Sequence, residues 1–214
     1  MRRCGCEDAT RSRPRGTTSR HERHTSQVRR SPVVMDTLPL LLALLAGAGL
    51  AGGLIVELIL QRAVRSGAIS PPTMHMQIVI DAPLQRVWEV ASDVQRQPEW
   101  MHEMKRVEML TPGPVRVGSR GRATVRIFGI STTDDVVITR LEPPHAFGIR
   151  HEGRFTGEGL LEFGAEGDQR TVIRWMEYLR PPLFPMLGGL IQRPILRRIF
   201  QADLRTLKEI LERP

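Results

Sequence analysis

The chain has only two cysteines in 214 residues, Cys4 and Cys6. They are one residue apart near the N-terminus, so no disulfide framework can be built and no thiol nucleophile is available further along. Set beside His21 and His24 they could be drawn as a zinc site, but the Cys-x-Cys spacing and the lack of nearby apolar residues do not suit one. No metal and no cofactor is expected. Aromatic residues make up 5% of the chain, and they are not interleaved with basic residues as a base-stacking surface requires, so nucleic acid is not an expected partner. The sequence also lacks Gly-x-Ser-x-Gly, His-Glu-x-x-His and a phosphate-cradling glycine loop beside Lys-Ser/Thr. Those absences remove the common routes to acyl transfer, zinc hydrolysis and nucleotide binding.

The net charge of +8 is unevenly spread. Residues 1–36 carry nine Arg against four acids, whereas Met74 to Pro214 carries twenty basic and eighteen acidic residues and is close to neutral. The excess charge therefore belongs to the leading segment. Residues 1–34 are rich in Arg, Ser and Thr with no periodic apolar pattern, and such a composition cannot bury enough surface to offset chain entropy. They read as a disordered Arg-rich tail, with Met35 as an alternative translation start.

Leu38 to Leu60 is 23 residues with one charge, Glu57. As a helix it spans roughly 34 Å, enough for a hydrocarbon core of about 30 Å. It is too long for a secretory apolar region and lacks a small-x-small cleavage site, so residues 37–60 are expected to be a retained transmembrane helix. Glu57, one turn from its end and close to Arg62, is expected to reach the interface. Gly49 and Gly53, four residues apart, offer a face for a homodimer. Residues 61–73 form a linker whose Gly67 and Pro71-Pro72 deter helix, and residues 74–214 form the folded domain.

Within that domain, alternating apolar runs predict seven strands: 77–80, 107–110, 123–128, 136–141, 147–149, 155–163 and 172–179. In the last, alternation puts Ile173, Trp175, Glu177 and Leu179 on one face; in the sixth, Phe155, Gly159, Leu161 and Phe163 share one. The tail from Leu183 to Leu211 reads as helix interrupted at Pro194, with Leu196, Phe200, Leu204, Leu207 and Leu211 as its buried stripe. Before the proline, an apolar segment from Phe184 to Ile191 is either a core helix start or a cavity lid touching a bilayer, with Arg193, Arg197 and Arg198 following.

The passage Gln77 to His102 joins an apolar strand (Ile78, Val79, Ile80), an Asp81-Ala82-Pro83 helix start, Val87-Trp88 and Pro98-Glu99-Trp100. With Leu141-Glu-Pro-Pro-His-Ala-Phe147 and the closing Phe200 to Glu212 helix, it resembles the START-like helix-grip (SRPBCC) superfamily, and within it the polyketide cyclase/dehydrase group. The resemblance covers residues 74–212. It implies an α+β fold in which a curved antiparallel sheet of about seven strands wraps a long C-terminal helix around an apolar cavity. The expected function is membrane-anchored binding or transport of a hydrophobic, lipid- or isoprenoid-like molecule. Alternatives are a cyclase/dehydrase-type enzyme using cavity acid/base residues, or a structural or assembly partner without ligand. Expected ligand-binding residues are Trp88, Trp100, Phe155, Leu161, Trp175, Glu177 and Phe200. Glu177, His102 and His151 are the catalytic candidates, with Arg150 and Tyr178 as further polar groups.

Positive charge near a membrane span tends to stay cytoplasmic. A start at Met35 leaves Arg62 and Arg65 dominant and keeps the domain inside, as a single-pass membrane protein; a start at Met1 puts nine Arg ahead of the span and the domain outside. With the Met35 start, protease added to sealed spheroplasts leaves the domain intact, and N-terminal sequencing of the native protein identifies the start used.

Overall fold

The computed structural model describes residues 33–127 and 129–213. Residues 1–32 of the expected Arg-rich tail, with Cys4, Cys6, His21 and His24, lie outside the described residues, while Val33 and Val34, expected in the tail, belong to the first helix. Helix α1 is Val33–Arg65, and Thr37–Arg65 is long and apolar enough to cross a membrane. Residues up to Ala43 are a unit of their own, and the body begins at Leu44. The helix runs five residues past the expected end at Leu60 and is then stopped by a Schellman arrangement. Gly67 adopts φ 76°, its N–H bonds the Val64 carbonyl at 3.0 Å, and the Ala68 N–H bonds that of Ala63 at 2.9 Å.

The rest is β1 (Met74–Ile80), α2 (Leu84–Ala91), α3 (Gln97–Trp100), β2 (Met104–Met109), β3 (Arg120–Ile127), β4 (Ile130–Glu142), β5 (Ala146–Glu152), β6 (Thr156–Ala165), β7 (Thr171–Arg180) and α4 (Pro185–Glu212). The seven strands form one antiparallel sheet in the order β1-β7-β6-β5-β4-β3-β2, a meander whose first strand returns to pair with the last. Each expected strand is present, with two ends shifted: β2 stops at Met109, short of Leu110, and β6 begins at Thr156, so Phe155 lies just before the strand rather than on its face.

Alternation decides which face is buried. On β7, Thr171, Ile173, Trp175 and Glu177 are buried while Arg174 and Met176 are exposed, and on β6 Gly159, Leu161 and Phe163 alternate with exposed Glu158 and Glu162. Leu196, Leu204, Leu207 and Leu211 of α4 close on this face together with Val87, Trp88 and Ala91 of α2. Pro194 does not interrupt α4. Proline frees the carbonyl four residues back, but Pro194 and Leu190 both lie on the exposed side, where water can satisfy that group.

Helix α4 rests on β1, with β7, α2 and α3 also in contact. Seven strands spaced by about 4.8 Å make a sheet roughly 29 Å across, whereas a helix with its side chains is about 10–12 Å thick. The helix therefore covers one side of the concave face, and a gap is left over β2 to β5.

Both ends of α4 are fastened. At its C-terminal end, Lys208 donates to the Val79 carbonyl at 2.7 Å, and Glu212 accepts from the Asp81 N–H at 2.6 Å. At its N-terminal end, Glu57 of α1 does not reach toward an interface as expected. It is 3% exposed, and its carboxylate accepts the Met186 N–H at 3.0 Å, the Leu187 N–H at 2.9 Å and the Gln61 amide at 2.7 Å. The first N–H groups of a helix have no partner within it, and a carboxylate there satisfies them and complements the helix dipole. Phe184 supports the arrangement from φ 53°, an uncommon conformation for a bulky residue, with its ring 3.6 Å from where a Cβ on Gly53 would stand. Gly53 thus faces Phe184 of the same chain, while Gly49 has nothing within 4 Å.

Replacing Glu57 by Leu strands two buried N–H groups and should cost about 1–3 kcal/mol. Hydrogen exchange of the Met186 and Leu187 amides should accelerate selectively, with the Lys208 end of α4 unchanged.

Candidate functional site

The gap beside α4 is a cavity of about 390 Å³. Its walls are the inward faces of β2 to β5 (Val107, Ala123, Val125, Ile138, Phe147, Ile149), part of β6 and β7 (Leu161, Trp175, Leu179) and the flank of α4 (Ile195, Leu196, Phe200). Ile130 and Ile195 belong to the lining and are also 70% and 45% exposed, so they form part of an apolar rim. Leu183, Leu190 and Ile191, in and just before the first half of α4, are exposed as well.

Of the residues expected to bind ligand, Phe155, Leu161, Trp175, Glu177 and Phe200 line this cavity. Trp88 and Trp100 do not. Trp88 meets the edge of Phe163 at 5.4 Å and 79°, and Trp100 meets Trp175 at 6.2 Å and 73°. Both rings are spent in closing α2 and α3 onto the sheet, behind the cavity wall. Trp175 joins the two regions, for it lines the cavity and also stacks on Phe200 at 4.8 Å.

Beside Gln97, Thr132, Asp134 and Gln192, two ionisable clusters interrupt the apolar lining. The first is built across β6, from the strands on either side of it, β5 and β7: Glu177 is 3% exposed, its Oε1 lies 3.0 Å from His151 Nε2, and its Oε2 accepts the Trp175 indole N–H at 2.9 Å. Gly159 opposite makes room, because a Cβ there would overlap Glu177 Oε2. Burial by itself would lower the His151 pKa, but the hydrogen bond and charge of Glu177, together with the charge of Asp134, outweigh it and hold the imidazole above its usual value. The pair can hold and move one proton between Nε2 and Oε1 inside an apolar space. Arg150 and Tyr178 alternate to the other face of β5 and β7 and are not part of the lining; Arg150 pairs with Glu152 at 2.6 Å.

The second group was not found from the sequence. Asp203 of α4 is 1% exposed and lines the cavity, with Glu103 in the lining beside it. Asp203 Oδ1 accepts the His102 N–H at 3.1 Å and lies 3.1 Å from His102 Nδ1. His102 itself has 64% of its side chain exposed and is outside the lining, so it backs the carboxylate from the solvent side. Burial pushes the Asp203 carboxyl up to about 7, the neighbouring Glu103 adds to the rise, and the His102 N–H opposes it. An acid at the buried border of a helix that is otherwise charged on its outer side gives no periodic signal, which is why alternation and stripe counting pass over it. Among the described residues no cluster of His, Cys, Asp or Glu could hold a metal ion.

The family model described as polyketide cyclase / dehydrase and lipid transport matches residues 71–212. No curated protein sequence matches the chain. Among solved structures, a protein of Thermus thermophilus is similar at a TM-score of 0.53 and 22% identity, covering 65% of this chain and 97% of that one. A protein of Helicobacter pylori is similar at 0.54 and 12%, covering 65% and 88%. The di-domain ARO/CYC BexL of the BE-7585A biosynthetic pathway is similar at 0.52 and 18%, covering 64% of this chain and 45% of that one. At these identities the likenesses are of fold.

Folding raises the Asp203 pKa from 3.8 to about 7, so in that window the folded chain keeps a proton that the unfolded chain has released. Stability contributed here is present at low pH and is lost as pH rises toward 7. The raised His151 acts in the same direction at the upper end of the window. Asp203→Asn should flatten the fall in Tm between about pH 4 and 7 by an amount on the order of 5 °C, measured by thermal scans at fixed ionic strength.

Proposed function

The chain belongs to the polyketide cyclase / dehydrase and lipid transport family, and on that premise we propose that it binds a hydrophobic small molecule in its cavity while anchored to a membrane by α1. The observation that carries this reading is the apolar cavity with an apolar, exposed rim at Ile130 and Ile195. A ligand burying about 300 Å² of apolar surface gains roughly 7 kcal/mol gross at about 25 cal/mol/Å², before immobilisation costs. That supports useful affinity without chemistry. Glu57 favours the membrane setting, since it ties the apolar helix to the start of α4, the element that carries the rim. The exposed Leu183, Leu190 and Ile191 would then meet the headgroup region rather than water. A molecule dissolved in the bilayer would reach the rim without crossing solvent.

A second reading is favoured by one observation, the His151–Glu177 pair inside the cavity. A cyclase or dehydratase needs a base to take a proton beside a carbonyl and an acid to protonate the departing hydroxyl. One imidazole hydrogen-bonded to a buried carboxylate can serve both steps in turn, with water as the product released. On that reading His151 exchanges protons with substrate and Glu177 positions it.

Native mass spectrometry of the full chain, extracted from its own host membranes, tests both. The binding reading expects an unmodified apolar molecule to co-purify. Leu161→Arg, which puts a charge into the wall, should reduce its occupancy at least tenfold while the fold is retained. The enzyme reading instead expects turnover that His151→Asn abolishes with binding kept.

A further inference from the structure

The ionisable groups of the cavity lining are Glu103, Asp134, His151, Glu177 and Asp203, and the lining has no Lys or Arg. A fatty acid or an isoprenoid phosphate would bring its anion into this space with no Lys or Arg to pair it and the imidazole of His151 already engaged by Glu177, at a cost of several kcal/mol. The carboxyls are not equivalent. Glu177 has both oxygens engaged, by His151 and by the Trp175 indole. Asp134 accepts the Arg154 N–H at 2.7 Å. Asp203 Oδ2 and Glu103 Oε2, by contrast, are buried oxygens that no donor of the protein reaches. The Asp203 side chain is 1% exposed, so bulk water does not reach it either. The two carboxyls are within hydrogen-bonding reach of each other.

We infer that Glu103 and Asp203 form a proton-sharing carboxyl pair that accepts the hydroxyl hydrogen of a neutral, apolar ligand, so that the cavity selects alcohols or phenols over carboxylates and phosphates. The inference rests on the binding reading proposed above and adds the polar chemistry of the ligand. One proton shared between two carboxyls satisfies one lone pair of the pair and leaves the others without a donor, on two residues of the cavity lining. Those remaining groups are acceptors, so the partner they lack is a donor. A hydroxyl supplies it without carrying a second charge into the cavity. His102 fixes the geometry from behind: its N–H holds Asp203 Oδ1, while Oδ2 has no donor. A site built to bond a hydroxyl rejects the analogue that lacks it, because the buried acceptor is then left unpaired.

Three matched probes test the inference on the full chain in nonionic detergent: 2-naphthol, 2-methoxynaphthalene and 2-naphthoate, titrated by calorimetry at about pH 6, where the carboxyl pair keeps its proton and naphthoate is ionised. The expected result is that naphthol binds at least tenfold more tightly than its methyl ether, with naphthoate weaker than both. In Glu103→Gln and in Asp203→Asn, each near in shape to the native residue, the naphthol-to-ether ratio should fall below about threefold while the ether's own affinity holds. Equal binding of naphthol and ether by the native chain would overturn the carboxyl anchor and leave hydrophobic binding standing. So would naphthoate binding as tightly as naphthol, or a ratio that neither substitution changes. Failure of all three probes to bind would overturn the anchor and the binding reading together.

Discussion

A single helix is too narrow to cover the concave side of a seven-stranded sheet, and the rest of this domain follows from how that mismatch is handled. Helix α4 is set against β1 rather than centred, and α2 and α3 close the same side with Trp88 and Trp100. The apolar faces of β2 to β5 are then left looking at empty space. The helix cannot slide across to fill it, because its ends are held by Glu57 at one side and by Val79 and Asp81 at the other. The cavity is thus a result of where the helix is pinned as much as of what lines it.

Polarity inside that space is arranged with some economy. Both oxygens of Glu177 are engaged, by His151 and by the Trp175 indole, while Asp203 and Glu103 each keep a buried oxygen that no donor of the protein reaches. A buried polar group without a partner is expensive in a stable fold. Its persistence beside a cavity is what separates a binding surface from packing. The two groups also come from different parts of the scaffold, one from β5 and β7 across β6 and one from α4 and the residue before β2, so a ligand touching both would bridge sheet and helix.

Most of the fold was legible because it is periodic. Strand alternation placed Leu161, Trp175 and Glu177 on the inner face, and the three- and four-residue spacing of Leu196, Phe200, Leu204, Leu207 and Leu211 gave the closing helix. What escaped was aperiodic or remote. Glu57 caps a helix that begins 128 residues later, a relation no local window contains. Trp88 and Trp100 carry the right chemistry for a cavity wall, but tryptophan at a helix–sheet junction packs as core, and sequence does not say on which side of the wall a ring falls. Pro194 reads as a break because the rule concerns the backbone alone; exposure of the freed carbonyl decides the outcome. Asp203 and Glu103 look like surface acids until the fold turns them inward.

The glycine facing Glu177 has an evolutionary corollary. Position 159 is without a side chain because Glu177 Oε2 occupies the volume one would need. The two sites cannot drift separately: a lineage that trades the acid for a smaller group vacates space which position 159 can refill, and one that first gains a methyl there must displace the carboxylate from its imidazole. In an alignment of descendants these columns should change as a couple, and the pairs they adopt would record which branches kept a charge inside and which gave it up.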